Sequence, residues 1–278
     1  MKILIASDNP LGNYFYNYFK DKFNVSFIEN INTILFKRHK LIKYIKNSNP
    51  DFIINNYELN DIEKCEISES KAMKYNSISA LNIAYACNTL SIPLAFISSN
   101  HVYGNSKDTP YYETDKCNPI NKYGKSKLAA ERLIKTLSQK YFIFRTGWIF
   151  GEENDLISKI VNNKQSSIFM CSTEIGSPTY VLDLCKIIEK SIGSNCYGIY
   201  NCANPEPIKK SLWIKFIMDN LNCKKEIIEI PSNYISNTAP RPQYSALNTY
   251  LLKNCFELSF PNWKDRTFES LQLTNPKI

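Results

Sequence analysis

Short apolar runs alternate along the chain with stretches in which apolar residues recur every three or four positions. That alternation predicts strands and helices in turn. Lys2–Ala6 reads as a first strand, and residues 11–23 follow as a helix carrying Phe15, Tyr16 and Phe19. Residues 25–28 predict a second strand, 33–47 a lysine-rich helix, and Phe52–Asn55 a third strand. A long helix over 70–90 offers Ala72, Ile78, Leu81, Ala84 and Tyr85 as an apolar stripe. Residues 94–98, Lys122–Leu137 and Tyr141–Thr146 complete the series as strand, helix and strand. Such alternation implies an α/β fold built on a parallel, doubly wound sheet. Ligands of such sheets bind beyond the carboxyl ends of the strands.

After about Phe150 the alternation loosens. Residues 155–162 predict a helix, 167–170 a short strand, and 181–192 a helix that returns to the sheet before a strand near Gly198–Cys202. Residues 209–221 are amphipathic, with Leu212, Trp213, Phe216 and Ile217 on one face and Trp213 in the core. A Pro/Asn/Ser-rich loop covers 231–242, and 264–271 closes the chain as a helix.

Composition narrows the class. The 278 residues are 44% hydrophobic and 13% aromatic, enough to fill a core and against disorder. The opening apolar run is too short for a signal peptide or a membrane span, so a soluble, cytoplasmic protein without membrane contact is expected. Nine cysteines, with no C-x-x-C pair, read as small buried hydrophobes in a reducing compartment. Two histidines, His39 and His101, are too few for a typical histidine metal site. The net charge of +8 comes from lysines spread along the chain and shows no clustered basic–aromatic pattern, so nucleic acid is not an expected partner.

The candidate chemistry lies in Asn118–Lys127, read with Ser98-Ser99 upstream. Tyr123 and Lys127 are four apart and share a face if the segment is helical. An ammonium beside a phenol favours its ionised form, and such a tyrosine can exchange a proton with a carbonyl or alcohol oxygen. A serine hydroxyl from a strand end can orient the same oxygen. The spacing alone is weak, because Tyr16/Lys20, Tyr18/Lys22, Tyr103/Lys107 and Tyr112/Lys116 repeat it. Context separates the fifth pair: Ser99 closes a strand and Tyr123 opens the next helix, so all three groups fall on one rim.

A series of motifs runs in one order across nearly the whole chain. It comprises Ile54-Asn55 with Glu63-Lys64-Cys65-Glu66, Asn76, Ser98 to Gly104, Pro110-Tyr111 with Glu113 and Asp115, and Pro119, Asn121, Tyr123-Gly124 and Ser126-Lys127. Arg145-Thr146-Gly147-Trp148, Gly176-Ser177-Pro178-Thr179, Arg241-Pro242 with Ser245-Ala246-Leu247, and Pro261-Asn262-Trp263 continue it. The series resembles the extended short-chain dehydrogenase/reductases, most closely the dTDP-4-dehydrorhamnose reductases. The resemblance implies a Rossmann-like dinucleotide-binding domain over residues 1–149. Residues 150–278 would form a smaller, partly discontinuous substrate lobe, with about 181–203 back in the sheet. It further implies transfer of hydride to the C4 carbonyl of a 4-keto-6-deoxy sugar on a nucleoside diphosphate. Tyr123 would give the proton, Lys127 would lower its pKa and hold the nicotinamide ribose, and Ser99 would bond the carbonyl. Ser7, Asn9, Leu11, Gly12 and Asn55 would meet the cofactor. Trp148 is either a wall of the sugar pocket or core, and Arg241 either a diphosphate contact or half of an ion pair. Mg²⁺ enters through the resemblance alone, and a homodimer is left open.

Two departures bear on these expectations. The first turn reads Ser7-Asp8-Asn9-Pro10-Leu11-Gly12, with only the last glycine of the family's three. Asp8 or Asn9 can supply a left-handed backbone, Pro10 suits a first helical position, and the helix amides still face a phosphate. Glu29 would favour NADH, Lys37 or Arg38 NADPH; the family's usage favours NADPH. The second departure is Asn56-Tyr57-Glu58, where small alanines usually follow the Asn. Alternatives are a non-catalytic regulatory subunit of the same fold, similar to the beta subunit of methionine adenosyltransferase, and a reductase of a UDP-linked 4-keto sugar.

Overall fold

The structure, a computed structural model, describes residues 1–152, 155–163, 165–231 and 239–274. Five strands, β1 (Lys2–Ala6), β2 (Asn24–Phe27), β3 (Phe52–Asn55), β4 (Leu94–Ser99) and β5 (Tyr141–Thr146), alternate with helices. These are α1 (Pro10–Phe19), α2 (Ile31–Ile34), α3 (Arg38–Ser48), α4 (Ile62–Ile67), α5 (Glu69–Ala72), α6 (Ser79–Thr89) and α7 (Lys122–Leu137). The second half brings β6 (Trp148–Phe150), α8 (Leu156–Asn162), β7 (Ser167–Cys171), β8 (Ile175–Gly176), β9 (Pro178–Tyr180) and α9 (Val181–Ser191). It ends with β10 (Gly198–Cys202), β11 (Ile208–Lys209), α10 (Lys210–Asn220), β12 (Glu226–Ile230), α11 (Tyr250–Phe256) and α12 (Trp263–Thr274).

The main sheet has six strands in the order β10-β5-β4-β3-β1-β2, every pairing parallel. Successive side chains of a strand face opposite sides. Ile3 and Ile5 therefore pack with Phe15 and Phe19 of α1 and Leu184 of α9, while Leu4 and Ala6 meet Leu41 of α3, Ile83 of α6 and Ile134 of α7. Burial on both faces explains why these strands read as unbroken apolar runs. Chain order reverses between β1 and β3, which opens a crevice beyond their carboxyl ends, at Ser7 and Asn55.

Several elements depart from the sequence pattern for local reasons. α1 ends at Phe19 because the amides of Lys22 and Phe23 turn back to the Phe19 carbonyl. The lysine-rich helix is broken in two where Lys37 takes a non-helical backbone (φ −120°, ψ 80°). Residues Met73–Ile78 form a π-helix between α5 and α6. Its wider turn breaks the 3.6-residue register, so the expected stripe fails. Ala72 and Ala84 are buried, but Ile78 and Tyr85 face solvent, and Asn76, Ser77, Ala80, Ile83 and Cys87 line the inner side.

Among the described residues the second half carries three two-stranded sheets, β6–β9, β7–β12 and β8–β11. β6, β8, β9 and β11 are too short to show a period. Trp213 is fully buried with Phe150, Tyr180, Ile217 and Trp263, as expected. Leu212 is 52% exposed instead of buried. α10 packs on two sides, Trp213 and Ile217 toward α12 and Ile214 and Met218 toward α8 and β7, which rotates its buried face past Leu212. Most of the expected 231–242 loop, residues 232–238, lies outside the described residues. Among the described residues no helix is long and apolar enough to cross a membrane.

Candidate active site

β4 delivers Ser99 to the rim. There the chain turns into one 3₁₀ turn, Asn100–Val102, whose His101 amide donates to Ser99 Oγ at 3.2 Å. α7 starts just above. Asn121 caps it by accepting from the Gly124 amide at 2.7 Å, and its side-chain amide reaches His101 Nδ1 (2.9 Å) and the Pro240 carbonyl (2.8 Å). Position 124 must be glycine, since a Cβ there would sit 2.1 Å from the His101 carbonyl oxygen. The helix start therefore rests on the turn after β4, and Tyr123 comes within hydrogen-bonding reach of Ser99. Lys127 follows one turn later. Its ammonium is buried and donates to the Ile97 carbonyl (2.6 Å) and to Glu58 Oε2 (2.7 Å), 4.5 Å from the centre of the Phe96 ring.

Glu58 alters the expected electrostatics. Its Oε2 also accepts from Tyr123 Oη, at 3.2 Å. Burial first, then this carboxylate, holds the Tyr123 phenol well above its ordinary value, with the Ser99 hydroxyl acting the other way. The phenol is thus raised overall, where a lowering by Lys127 was expected. The ammonium is compensated by an anion standing between the two groups.

The first turn is held by side chains. Asn9 is extended (φ −129°, ψ 167°), and neither it nor Asp8 adopts the expected left-handed backbone. Asn9 Oδ1 instead caps α1 by accepting from Gly12 N, and accepts from Asn56 Nδ2 (2.8 Å) and Ser7 Oγ (3.1 Å). Pro10 takes the first helical position. Gly12 lies against Ser7, where a Cβ would come within 2.3 Å of the Ser7 hydroxyl. The Leu11 side chain points into the core, leaving only its backbone for the rim. Asn55 Oδ1 accepts from the Tyr57 amide. Asp8 is hydrogen-bonded to Asn32, and burial raises its carboxyl.

On the opposite side Trp148 is half-buried, stacked on Trp213 at 5.8 Å, with Lys210 Nζ 5.2 Å from its ring. Arg241 Nη2 pairs with Glu63 at 2.6 Å, while its Nη1 is buried and has no partner among the described residues.

Over residues 1–275 the chain matches the family described as RmlD substrate binding domain. It belongs to that family. Among its relatives, the spore coat polysaccharide biosynthesis protein SpsK of Bacillus subtilis is 29% identical over 230 residues, 80% of this chain and 79% of that protein. A dTDP-4-dehydrorhamnose reductase from Clostridium acetobutylicum superimposes with a TM-score of 0.92 at 26% identity, covering 99% of both chains. The corresponding reductase of Bacillus anthracis, solved in complex with NADP, gives 0.91 at 26% identity over 97% of this chain and 98% of that one. With this family the chain takes its place among the NAD(P)-dependent oxidoreductases of the extended short-chain dehydrogenase/reductase type.

The crevice of this RmlD-family protein fits a nicotinamide dinucleotide. Asn55 Nδ2 and Asn56 Oδ1 are buried at the β1/β3 reversal without partners among the described residues, and Gly12 brings the amides of α1 close to it. Of the two cations expected to face a 2′-phosphate, Arg38 is engaged by Asn82 and by the Tyr85 ring, while Lys37 is exposed. Among the described residues no group of three or more His, Cys, Asp and Glu side chains is placed to hold a metal ion. Sequence reasoning passed over Glu58 as a site residue, although its charge among expected alanines was the signal. It also passed over His101, whose ring meets Tyr123 edge-on at 5.6 Å. Burial lowers the His101 imidazole to about 4, so it is neutral near pH 7. Glu174 and Lys210, paired at 3.1 Å, act on it electrostatically and gave no sequence signal.

Proposed function

We propose that this protein reduces the C4 keto group of a nucleotide-linked 4-keto-6-deoxy sugar of the dTDP-4-dehydrorhamnose type, with Tyr123 as proton donor. The observation that carries this reading is the convergence of Ser99, Tyr123 and Lys127 at the carboxyl end of β4 in an RmlD-family fold. A nicotinamide held in this crevice would supply the hydride, with NADPH preferred over NADH because the Bacillus anthracis reductase carries NADP. Lys127, Asn55, Asn56 and the backbone from Ser7 to Gly12 hold it.

Each residue then has one task. Ser99 donates to the carbonyl oxygen and orients it. Tyr123, buried and uncharged, gives that oxygen its proton as charge develops. Trp148 and residues 150–278 supply the sugar side: Trp148 forms the wall, and Nη1 of Arg241, without a partner among the described residues, takes a diphosphate oxygen, for which guanidinium geometry is suited. Tyr123→Phe is expected to lower kcat by about 100-fold or more on a dTDP-linked 4-keto-6-deoxy sugar, with thermal unfolding unchanged. Full activity of that variant overturns the reading.

A further inference from the structure

Glu58 is a charged group in direct contact with Tyr123 and Lys127 that the reaction as described leaves unused. It follows β3 on the segment leading to α4, and 65 positions separate it from Tyr123 and 69 from Lys127. A single oxygen, Oε2, accepts from both. Of the three ammonium protons of Lys127, one goes to Glu58 and one to the Ile97 carbonyl, and the Phe96 ring lies alongside. The segment carrying Glu58 is itself fixed, because Asn76 in the π-helix bonds both the amide and the carbonyl of Leu59 and reaches Ser126 of α7.

We propose that Glu58 is a positioning residue of the reduction: its carboxylate, shared by the Tyr123 hydroxyl and the Lys127 ammonium, keeps the phenol in its proton-donating form and fixes the ammonium beside it. This rests on the reductase reading above. In each turnover Tyr123 passes its proton to the substrate oxygen and regains one from water. A carboxylate 3.2 Å from the phenol oxygen opposes phenolate, so the donor stays loaded at alkaline pH.

The other groups around Tyr123 do not replace this effect. From the end of β4 comes the Ser99 hydroxyl and from the turn after it the neutral imidazole of His101; from α4 comes Cys65, whose thiol burial pushes up to about 12. From α7 itself comes Lys127, already paired. Glu58 in turn faces Cys65 and the carboxyl of Glu152, which burial raises to about 7 and on which Asp155 and Lys159 also act. Glu58 accepts directly from the phenol, and its other hydrogen-bond partner among the described residues is Lys127.

The test is an NMR titration of isotope-labelled tyrosine ring carbons. The Tyr123 signal is assigned by its loss in Tyr123→Phe, and Glu58→Gln and Glu58→Asp are compared with the unaltered protein. In Glu58→Gln, which keeps the shape and removes the charge, the phenol is expected to titrate about one pH unit lower or more. The alkaline limb of kcat/KM for reduction should move down with it. Glu58→Asp, with the charge restored, should bring both back toward the original value. Glu58→Ala, also neutral and the small residue expected here, gives a second reading should Glu58→Gln not fold. A Tyr123 titration that is the same with and without the carboxylate overturns the proposal. The titration uses neither cofactor nor sugar, so a failure to turn over any 4-keto sugar overturns the reductase reading separately.

Discussion

His101 shows how much of this site is set by burial. Its imidazole is the inner neighbour of both Asn121 and Tyr123, and it stays neutral to about pH 4, against 6.5 for a free side chain. Between those values the unfolded chain takes up a proton that the folded chain refuses, so stability is intact above pH 6.5 and falls as acid is added toward pH 4. The full difference is about 3 kcal/mol. Urea unfolding should therefore weaken between pH 7 and 4.5, and His101→Gln, which cannot be protonated, should flatten that slope. Ser99, Tyr123 and Lys127 were legible in the sequence because a strand end and a helix start bring them together within 29 positions. Glu58 stood out only as a departure from the expected alanines, since only the tertiary fold brings it to Lys127.

At the scale of elements, α7 is the part that the sequence describes best and that carries two of the candidate site residues, Tyr123 and Lys127. Its bounds follow from the Asn121 cap and from apolar residues that face the sheet, among them Ala130 and Ile134. Its contact with the turn after β4 is a backbone-to-backbone approach at Gly124. Gly124→Ala has no flexible side chain to push aside and should cost about 1–3 kcal/mol. It should also lift Tyr123 from Ser99, lowering kcat more than it changes KM; a well-folded variant of normal kcat would show that the approach is not needed. The π-helix was illegible for the opposite reason. A single extra residue in a turn leaves composition and capping unchanged, and it shows only in which side chains are inside: Ser77 and Asn76 in place of Ile78. Leu212 misled similarly, because a helix covered on two sides has no single apolar stripe to read.

For the whole molecule, a parallel sheet covered on both faces follows from runs such as Leu94–Ser99, whereas β6–β9 and β8–β11 of the second half rest on pairings of three and two residues with no period to see. One buried ion pair ties the sheet to α7. Arg145 of β5 donates through Nε and Nη2 to Glu131, which also accepts from Ser98, and through Nη1 to the Tyr103 hydroxyl. Arg145→Leu strands the Glu131 carboxylate in the interior and should cost about 3–5 kcal/mol, read as a lower denaturant midpoint. The rim is completed from much farther away: Asn100 holds Ser245 across 145 positions, and Arg241 holds Glu63 across 178. A chain emerging from the ribosome makes its amino-terminal strands first, and contacts of such separation form slowly. The nascent chain thus carries Tyr123 and Lys127 for more than a hundred further residues of synthesis before the segment that closes over Asn100 exists. Timing during translation, as much as final geometry, decides when this protein acquires its site.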